Sequence, residues 1–231
     1  VVIAVVCPSR GNPKALTEAA LSFRDTRMDD TSVFVAAVDE DDPVLAKYVE
    51  ALEDISCDLV IVPRGESGNM NRALNYAARR YAQRAEIVGF IGDDHRFRTK
   101  GWDRVIHAVM KEHGDGLAYG NDLFQGEALP TAVFISSSIV NALGWFGPPL
   151  CKHLYLDNTW KILGDRADCL YYLPDVIIEH MHPAAGKGEW DENHIRVNAS
   201  EVYSHDRTMF ESWLANGIEQ DVATVKEAVA R

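Results

Sequence analysis

The segment VGFIGDDHRF, residues 88–97, ends an apolar run on two adjacent carboxylates, Asp93 and Asp94, with His95 and the basic Arg96 and Arg98 just beyond. Neighbouring carboxylates repel each other and resist burial, so a positive group must compensate them. A hard divalent cation is one such group, because carboxylate oxygens are its preferred ligands. Mn2+ or Mg2+ held here would bridge the two phosphates of a nucleotide. A helix cap, or an ion pair with Arg96 or Arg98, is the competing explanation. Under the metal reading Asp94 faces the ion and Asp93 faces a ribose or donor-sugar hydroxyl.

Other residues of comparable chemistry recur at similar places. VDEDDP puts Asp39 at the end of a second apolar run, with Glu40, Asp41 and Asp42 after it. Asp39 is placed to accept hydrogen bonds from a base N–H or ribose hydroxyls, whereas Asp41 and Asp42 read as caps or surface acids. PRGESGNMNRALN offers Arg64, Asn69 and Arg72 in a Gly-containing loop that opens a helix, where free amide groups suit an anion. It is not a Walker A loop, since no Gly-Lys-Ser/Thr follows, and PSRGNP does not match G-x-G-x-x-G. A surface salt bridge is the alternative for these arginines.

IIEHMHP sets His180 and His182 on one face of a strand with period two. His182, nearer the strand end, is the expected second metal ligand; a structural histidine is the other possibility. Asp157 in YLDNTWKILGDR is either an N-cap or a general base aimed at an acceptor hydroxyl. HPAAGKGEWDENHIR carries Lys187, Trp190, Asp191, His194 and Arg196 on a Gly-containing segment, 184–196, expected to move. There Lys187 or Arg196 would balance a departing diphosphate and Trp190 would exclude water. His153, Tyr155 and Trp145 are candidates for an acceptor cleft.

The elements that must position these residues follow from periodicity. VVIAVVC, TSVFVAAVD, DLVIVP and EIVGFIG are apolar, β-branched runs suited to buried parallel strands, and the segments between them have helical spacing. Four strand–helix alternations predict a doubly wound α/β unit, in which ligands bind beyond the C-terminal ends of the strands. PSRGN, DEDD, PRGESGN and GDDHR are those ends. After residue 100 the pattern becomes mixed, with strands expected within GLAYGNDL, LPTAVFIS and CLYYLPDVIIEHMHP and helices within GWDRVIHAVMKEHG, LYLDNTWKILGDRAD and the C-terminal segment. The expected organisation is a single α/β domain over 1–231, a Rossmann-like, mostly parallel sheet flanked by helices. Its 1–100 half would hold the nucleotide sugar and its 101–231 half would form a mixed-sheet, acceptor-side extension.

Composition narrows the classes. Over 231 residues the apolar fraction is 47% and the charged fraction 25%, ordinary for a globular chain. The formal net charge of −12 argues against a broad duplex-binding face. Four cysteines occur without a C-x-x-C pair, which disfavours a thiolate zinc site and suits a reducing, cytoplasmic compartment. The N-terminal VVIAVVC lacks a basic leader and reads as a strand, and no 18-residue apolar stretch predicts a membrane span.

Taken in order, CPSRGNP, AAVDEDD, GNMNRALN, GFIGDDHRF, LDNTW and IEHMHP resemble the nucleotide-sugar glycosyltransferases of GT-A type, nearest the inverting family 2 enzymes, over about residues 1–185. The resemblance implies that Pro8, Ser9, Arg10 and Asp39 hold the nucleotide, that Asp93 touches the donor, and that Asp94 and His182 hold Mn2+ or Mg2+. It implies a cofactor set of that metal and a nucleoside-diphosphate sugar, with transfer of a hexose to a hydroxyl and Asp157 as base. This chain departs from the Asp-x-Asp signature, since Gly92 stands in place of the first acid, and Asp157-Asn158 matches the family's Glu-Asp pair imperfectly. A retaining enzyme, a nucleotidyltransferase and a non-catalytic nucleotide-sugar-binding protein are the alternatives. The acceptor is open among a small molecule, a protein and a modified DNA base, the last two because small bacteriophage enzymes of this type resemble the chain in scale. RFRTKGWDR would supply part of a basic strip for DNA.

Overall fold

The computed structural model describes residues 2–187 and 199–230. Strand β1 (Ile3–Ser9) is followed by α1 (Pro13–Thr26), β2 (Val33–Asp39), α2 (Leu45–Leu52), β3 (Asp58–Val62), α3 (Met70–Tyr81) and β4 (Ile87–Phe90). Then come β5 (His95–Phe97), α4 (Trp102–His113), β6 (Leu117–Asn121), β7 (Val133–Ser136), α5 (Ser137–Leu143), α6 (Leu156–Ala167), β8 (Leu170–His180), α7 (Ser200–Asn216) and α8 (Ile218–Val229). The sheet order is β3-β2-β1-β4-β7-β6-β8-β5. Strands β3, β2, β1 and β4 are mutually parallel; β7 pairs antiparallel with β4 and β6, β8 runs parallel to β6, and β5 closes the order antiparallel to β8. The α/β fold with a mostly parallel core and a mixed extension is therefore as the alternation of runs and helices predicts.

Period two explains how one sheet supports two cores. Ala4, Val6, Val35 and Ala37 pack on the face covered by α3, α5, α6 and α8. Ile3, Val5, Cys7, Phe34, Ala36 and Val38 pack on the face covered by α1, α2 and α4. Both faces exclude water, so the strands need apolar residues at every position. On the second face the rings of Phe23, Phe34, Phe97 and Trp102 meet at centroid distances of 4.4–5.7 Å. Each fully buried ring contributes on the order of 2–3 kcal/mol. The four cysteines are unpaired. No helix among the described residues is long and apolar enough to cross a membrane.

Local signals set the helix starts beside the strand ends. Asn12 caps α1, accepting from Ala15 N, and Pro13 opens its first turn. Asn69 caps α3, its side chain accepting from Arg72 N at 2.9 Å. Two open readings are settled. Asp42 takes the capping role rather than the surface one: its Oδ1 accepts from Val44 N just before α2 and its Oδ2 from Gly11 N, both at 2.8 Å, which buries it and ties the loop after β1 to the loop after β2. Asp157 lies inside the first turn of α6, and the cap position belongs to Tyr155, held at φ +64°.

Candidate active site

The C-terminal ends of β1, β2 and β4 open into a cavity of about 530 Å3. Pro8, Ser9, Arg10, Asp39, Asn69, Asp93, Asp94, Asp157 and His182 all line it. The strand-end rule thus brings most of the sequence candidates into one space. At its nucleotide-facing end Arg10 Nη1 bridges Asp39 Oδ2 at 2.9 Å and Asp41 Oδ1 at 2.7 Å. Burial pushes the Asp39 carboxyl up and Arg10 opposes that shift. Asp39 Oδ1 is buried without a hydrogen bond, leaving an acceptor at the end of β2. Ser9 Oγ donates to Asp93 Oδ2 at 2.5 Å and contacts Tyr48 Oη at 2.9 Å, which fixes the direction of Asp93.

Asp94 meets an imidazole from the far half of the chain, and that imidazole is His180. His180 Nε2 lies 3.0 Å from Asp94 Oδ2. The reason is register. Strands β5 and β8 pair His95 with His180, so the two rings stack at 4.1 Å and His180 projects at Asp94. The strand ends there. His182 falls beyond the period-two region, and its Nδ1 accepts from Ala184 N at 3.1 Å to start a 3-10 turn at Pro183–Ala185. His182 remains a lining residue, its ring 5.1 Å from that of His180 and stacked with Phe124 at 6.1 Å. The structure thus brings His180 within hydrogen-bond reach of Asp94, with His182 beside it in the same cavity.

Asp94, His95 and His180 have ligand atoms within 4.8 Å of one another and form the group suited to a cation. Asp94 and His180, 3.0 Å apart, would be the residues to hold such an ion between them. His180 Nδ1 is buried without a hydrogen bond, 3.8 Å from Asp122 Oδ2. Burial lowers the His180 pKa, but Asp122 and Asp94 outweigh it and hold the value at about 9. The two carboxylates thus make a locus of strong positive-charge preference, which an ion would take over by displacing the imidazolium proton. A mixed carboxylate and imidazole set suits a divalent cation such as Mn2+ or Mg2+. His95 is deeper: Gly92 N donates to its Nδ1 at 3.1 Å, and burial holds its pKa below the usual value. It therefore supports the group from beneath as a neutral ring.

Gly92 stands where the Asp-x-Asp signature would have an acid. A Cβ there would stand 2.6 Å from Asp94 Oδ1 and 3.1 Å from His95 Nδ1. A side chain at 92 would therefore push the Asp94 carboxylate and the His95 ring from their present positions.

The opposite wall comes from residues 152–157. Asp157 lines the cavity in the first turn of α6; burial raises its carboxyl pKa, and the His180 charge pulls it down more weakly. His153 and Tyr155 line the cavity as expected, whereas Trp145 is a buried core residue and does not. Lys152 also lines it. Arg64 and Arg72 lie off the cavity: Arg72 donates to Gly65 O, and Arg64 N donates to Glu40 at 3.2 Å. Lys187 pairs with Glu179 at 2.9 Å in a neighbouring hollow that also reaches Asp94. Arg196, Trp190, Asp191 and His194 lie outside the described residues. The sequence reading missed His95 as a partner of the site, and also Asp122, which accepts from Phe124, Gln125 and Gly126 N–H groups. The signal for Asp122 was the acid placed directly after an apolar strand in AYGND.

No family model and no curated protein matches the chain. Solved structures do. S. aureus TarS superposes with a TM-score of 0.61 at 15% identity, covering 93% of this chain and 43% of that one. The chain thus spans under half of that protein's length. Its 1–349 fragment in complex with UDP matches equally, with 71% of that chain covered. A mannosyltransferase from Pyrobaculum calidifontis in complex with GDP-Man and Mn2+ matches at TM-score 0.56 and 14% identity, over 99% of this chain and 74% of that one. The chain shares its Rossmann-like α/β fold with these proteins. The same Rossmann-like scaffold extends to 4-diphosphocytidyl-2C-methyl-D-erythritol synthase from Anaerococcus prevotii, at TM-score 0.53 and 10% identity, over 90% of this chain and 98% of that one. Within this shared fold, function rests on the cavity residues rather than on the likeness.

Proposed function

We propose that the protein is a metal-assisted GT-A glycosyltransferase that moves a hexose from a nucleoside-diphosphate sugar, a UDP-sugar by preference, to an acceptor hydroxyl with inversion. The observation that carries this reading is the meeting of Asp94 and His180, 3.0 Å apart, in the cavity that also contains the Arg10–Asp39 pair and Asp93. Five aspartates line that cavity, Asp39, Asp41, Asp93, Asp94 and Asp157, against Arg10, Lys152 and the charged His180. A surplus of carboxylates suits a cation bound together with a nucleotide, and suits a free anion poorly.

Each residue has a role. Asp39 Oδ1, the unsatisfied acceptor, receives a base N–H or ribose hydroxyl, with Pro8, Ser9, Arg10 and Asn69 around the nucleotide. Asp93, oriented by Ser9, accepts from a ribose or donor-sugar hydroxyl. Asp94 and His180 hold the divalent cation, and the bound ion supplies Lewis-acid stabilisation of charge on the departing diphosphate. Asp157 takes the proton from the acceptor hydroxyl. That oxygen attacks the anomeric carbon, the bond from that carbon to the diphosphate oxygen breaks, and its electron pair leaves with the nucleoside diphosphate. The raised pKa of Asp157 makes it a stronger base than an exposed carboxylate. Arg10 stands on the nucleotide-facing wall and is assigned to the diphosphate, since Arg64 and Arg72 lie elsewhere and Lys187 is engaged by Glu179.

The test is a thermal-shift screen of UDP-, GDP- and other nucleotide sugars with and without Mn2+, followed by product analysis. Preferential binding to the folded state raises the Tm. Metal-dependent stabilisation with release of nucleoside diphosphate is the expected result. Release of pyrophosphate from a nucleoside triphosphate would instead make the protein a nucleotidyltransferase, and binding without turnover a nucleotide-sugar-binding protein.

A further inference from the structure

Asp206 sits in the middle of α7, fully buried, a placement that costs several kcal/mol for an unpartnered carboxylate. It is not unpartnered. Its Oδ1 accepts from Lys152 N at 2.9 Å, and its Oδ2 from His153 N and Leu154 N, both at 2.8 Å. His205 Nδ1 lies 2.8 Å from Oδ1. Burial raises its pKa, but His205 and the three backbone donors outweigh that and hold it below the usual carboxylate range.

The three amides belong to the chain that forms the cavity wall immediately before Asp157. Tyr155, next along, is held at φ +64°. A non-glycine residue there is strained and persists where its surroundings over-determine it. The preceding stretch is fixed from the other side. Asn71 Nδ2 donates to Pro148 O at 2.6 Å and Cys151 O at 2.8 Å, and Asn75 bonds the backbone of Phe146 and Gly147. A Cβ on Gly147 would stand 2.2 Å from Asn71 Oδ1, so this loop lies directly on α3. Residues 146–154 are thus clamped between α3, whose cap Asn69 lines the cavity, and α7.

We propose that Asp206 is a positioning residue: its carboxylate shapes residues 152–155 so that Asp157 is presented to the acceptor hydroxyl. The role rests on the glycosyl-transfer reading above and adds to it a residue that touches neither substrate nor metal.

The test compares D206N with D221A in the full chain. Asp221 Oδ2 accepts from Trp213 Nε1 at 2.8 Å, so D221A loosens the packing of α7 on α8 without reaching the wall. Three quantities are read: hydrogen exchange of the Lys152, His153 and Leu154 amides, nucleoside-diphosphate binding with Mn2+, and kcat and KM for donor turnover. D206N is expected to speed exchange at those amides at least tenfold and to lower kcat tenfold or more. Nucleotide affinity and donor KM should stay within threefold of the parent. D221A is expected to lower the Tm while leaving exchange at those amides and kcat near the parent's. Unchanged exchange or unchanged kcat in D206N overturns the assignment, as does an equal loss of kcat in D221A. A parent protein that binds nucleotide and Mn2+ but turns over no donor overturns the transfer reading and this role with it.

Discussion

The two walls of the cavity are built on different principles. The nucleotide-facing wall is made of strand ends: Ser9 closes β1, Asp39 closes β2, and Asp93 and Asp94 follow β4. Parallel pairing aligns those ends, so the side chains arrive together as soon as the strands form. The facing wall, residues 152–157, is held by Asp206, and the stretch leading into it, residues 146–151, by Asn71 and Asn75, side chains from helices distant in sequence. The first wall is a consequence of topology. The second is a loop held by buried polar groups, which act only when every partner is in place.

Substitutions can break or sharpen this contrast. The largest effect is expected at the junction of the two halves. D94N or H180A should abolish Mn2+-dependent stabilisation by nucleotide and lower turnover about a thousandfold, because the ligand set and its charge are lost together. H182A is the sharpening partner: thermal shift with Mn2+ should show the metal response intact. A metal response lost in H182A and kept in H180A would restore the pairing read from the sequence.

Next comes the facing wall. D157N should reduce turnover by about 10^2–10^4-fold, the usual worth of a general base, with nucleotide affinity unchanged in calorimetry. If affinity fell instead, Asp157 would belong to the donor wall. G92D, which restores the missing acid of Asp-x-Asp, is expected to reduce turnover about tenfold rather than raise it. Its new side chain would strike Asp94 Oδ1 and His95. Steady-state kinetics with titrated Mn2+ distinguish the two directions.

The smallest effect is on stability in acid. Asp206 has a folded pKa below the usual value of about 3.9, so the unfolded chain binds more protons in that range. Its contribution is present above about pH 4 and is lost as pH falls through the folded value. Urea midpoints from pH 7 to pH 3 should therefore fall less steeply in D206N than in the parent, the two curves converging at the acid end. Parallel curves would show that the clamp carries no charge-dependent stability.

How far the site can be read in advance differs between the walls for the same reason. Asp39, Asp93 and Asp94 were legible because an acid directly after a buried strand has no apolar use. Asp42 follows the same pattern yet serves as a tie between two loops, since nothing in VDEDDP says which acid turns inward. Arg64 and Arg72 followed a plausible anion-loop pattern, but α3 turns Arg72 back onto Gly65 O. Asp206 looked like any polar residue of a surface helix, and its burial could not be read from SHDRTMF.

The sequence by itself determined the alternation of strands and helices, the parallel core and the acids at its strand ends, because period and side-chain chemistry are local properties. Only the tertiary structure decided which histidine meets Asp94 and what holds residues 152–155. Those depend on strand register and on partners more than fifty residues apart, and no local pattern encodes a distance across the sheet.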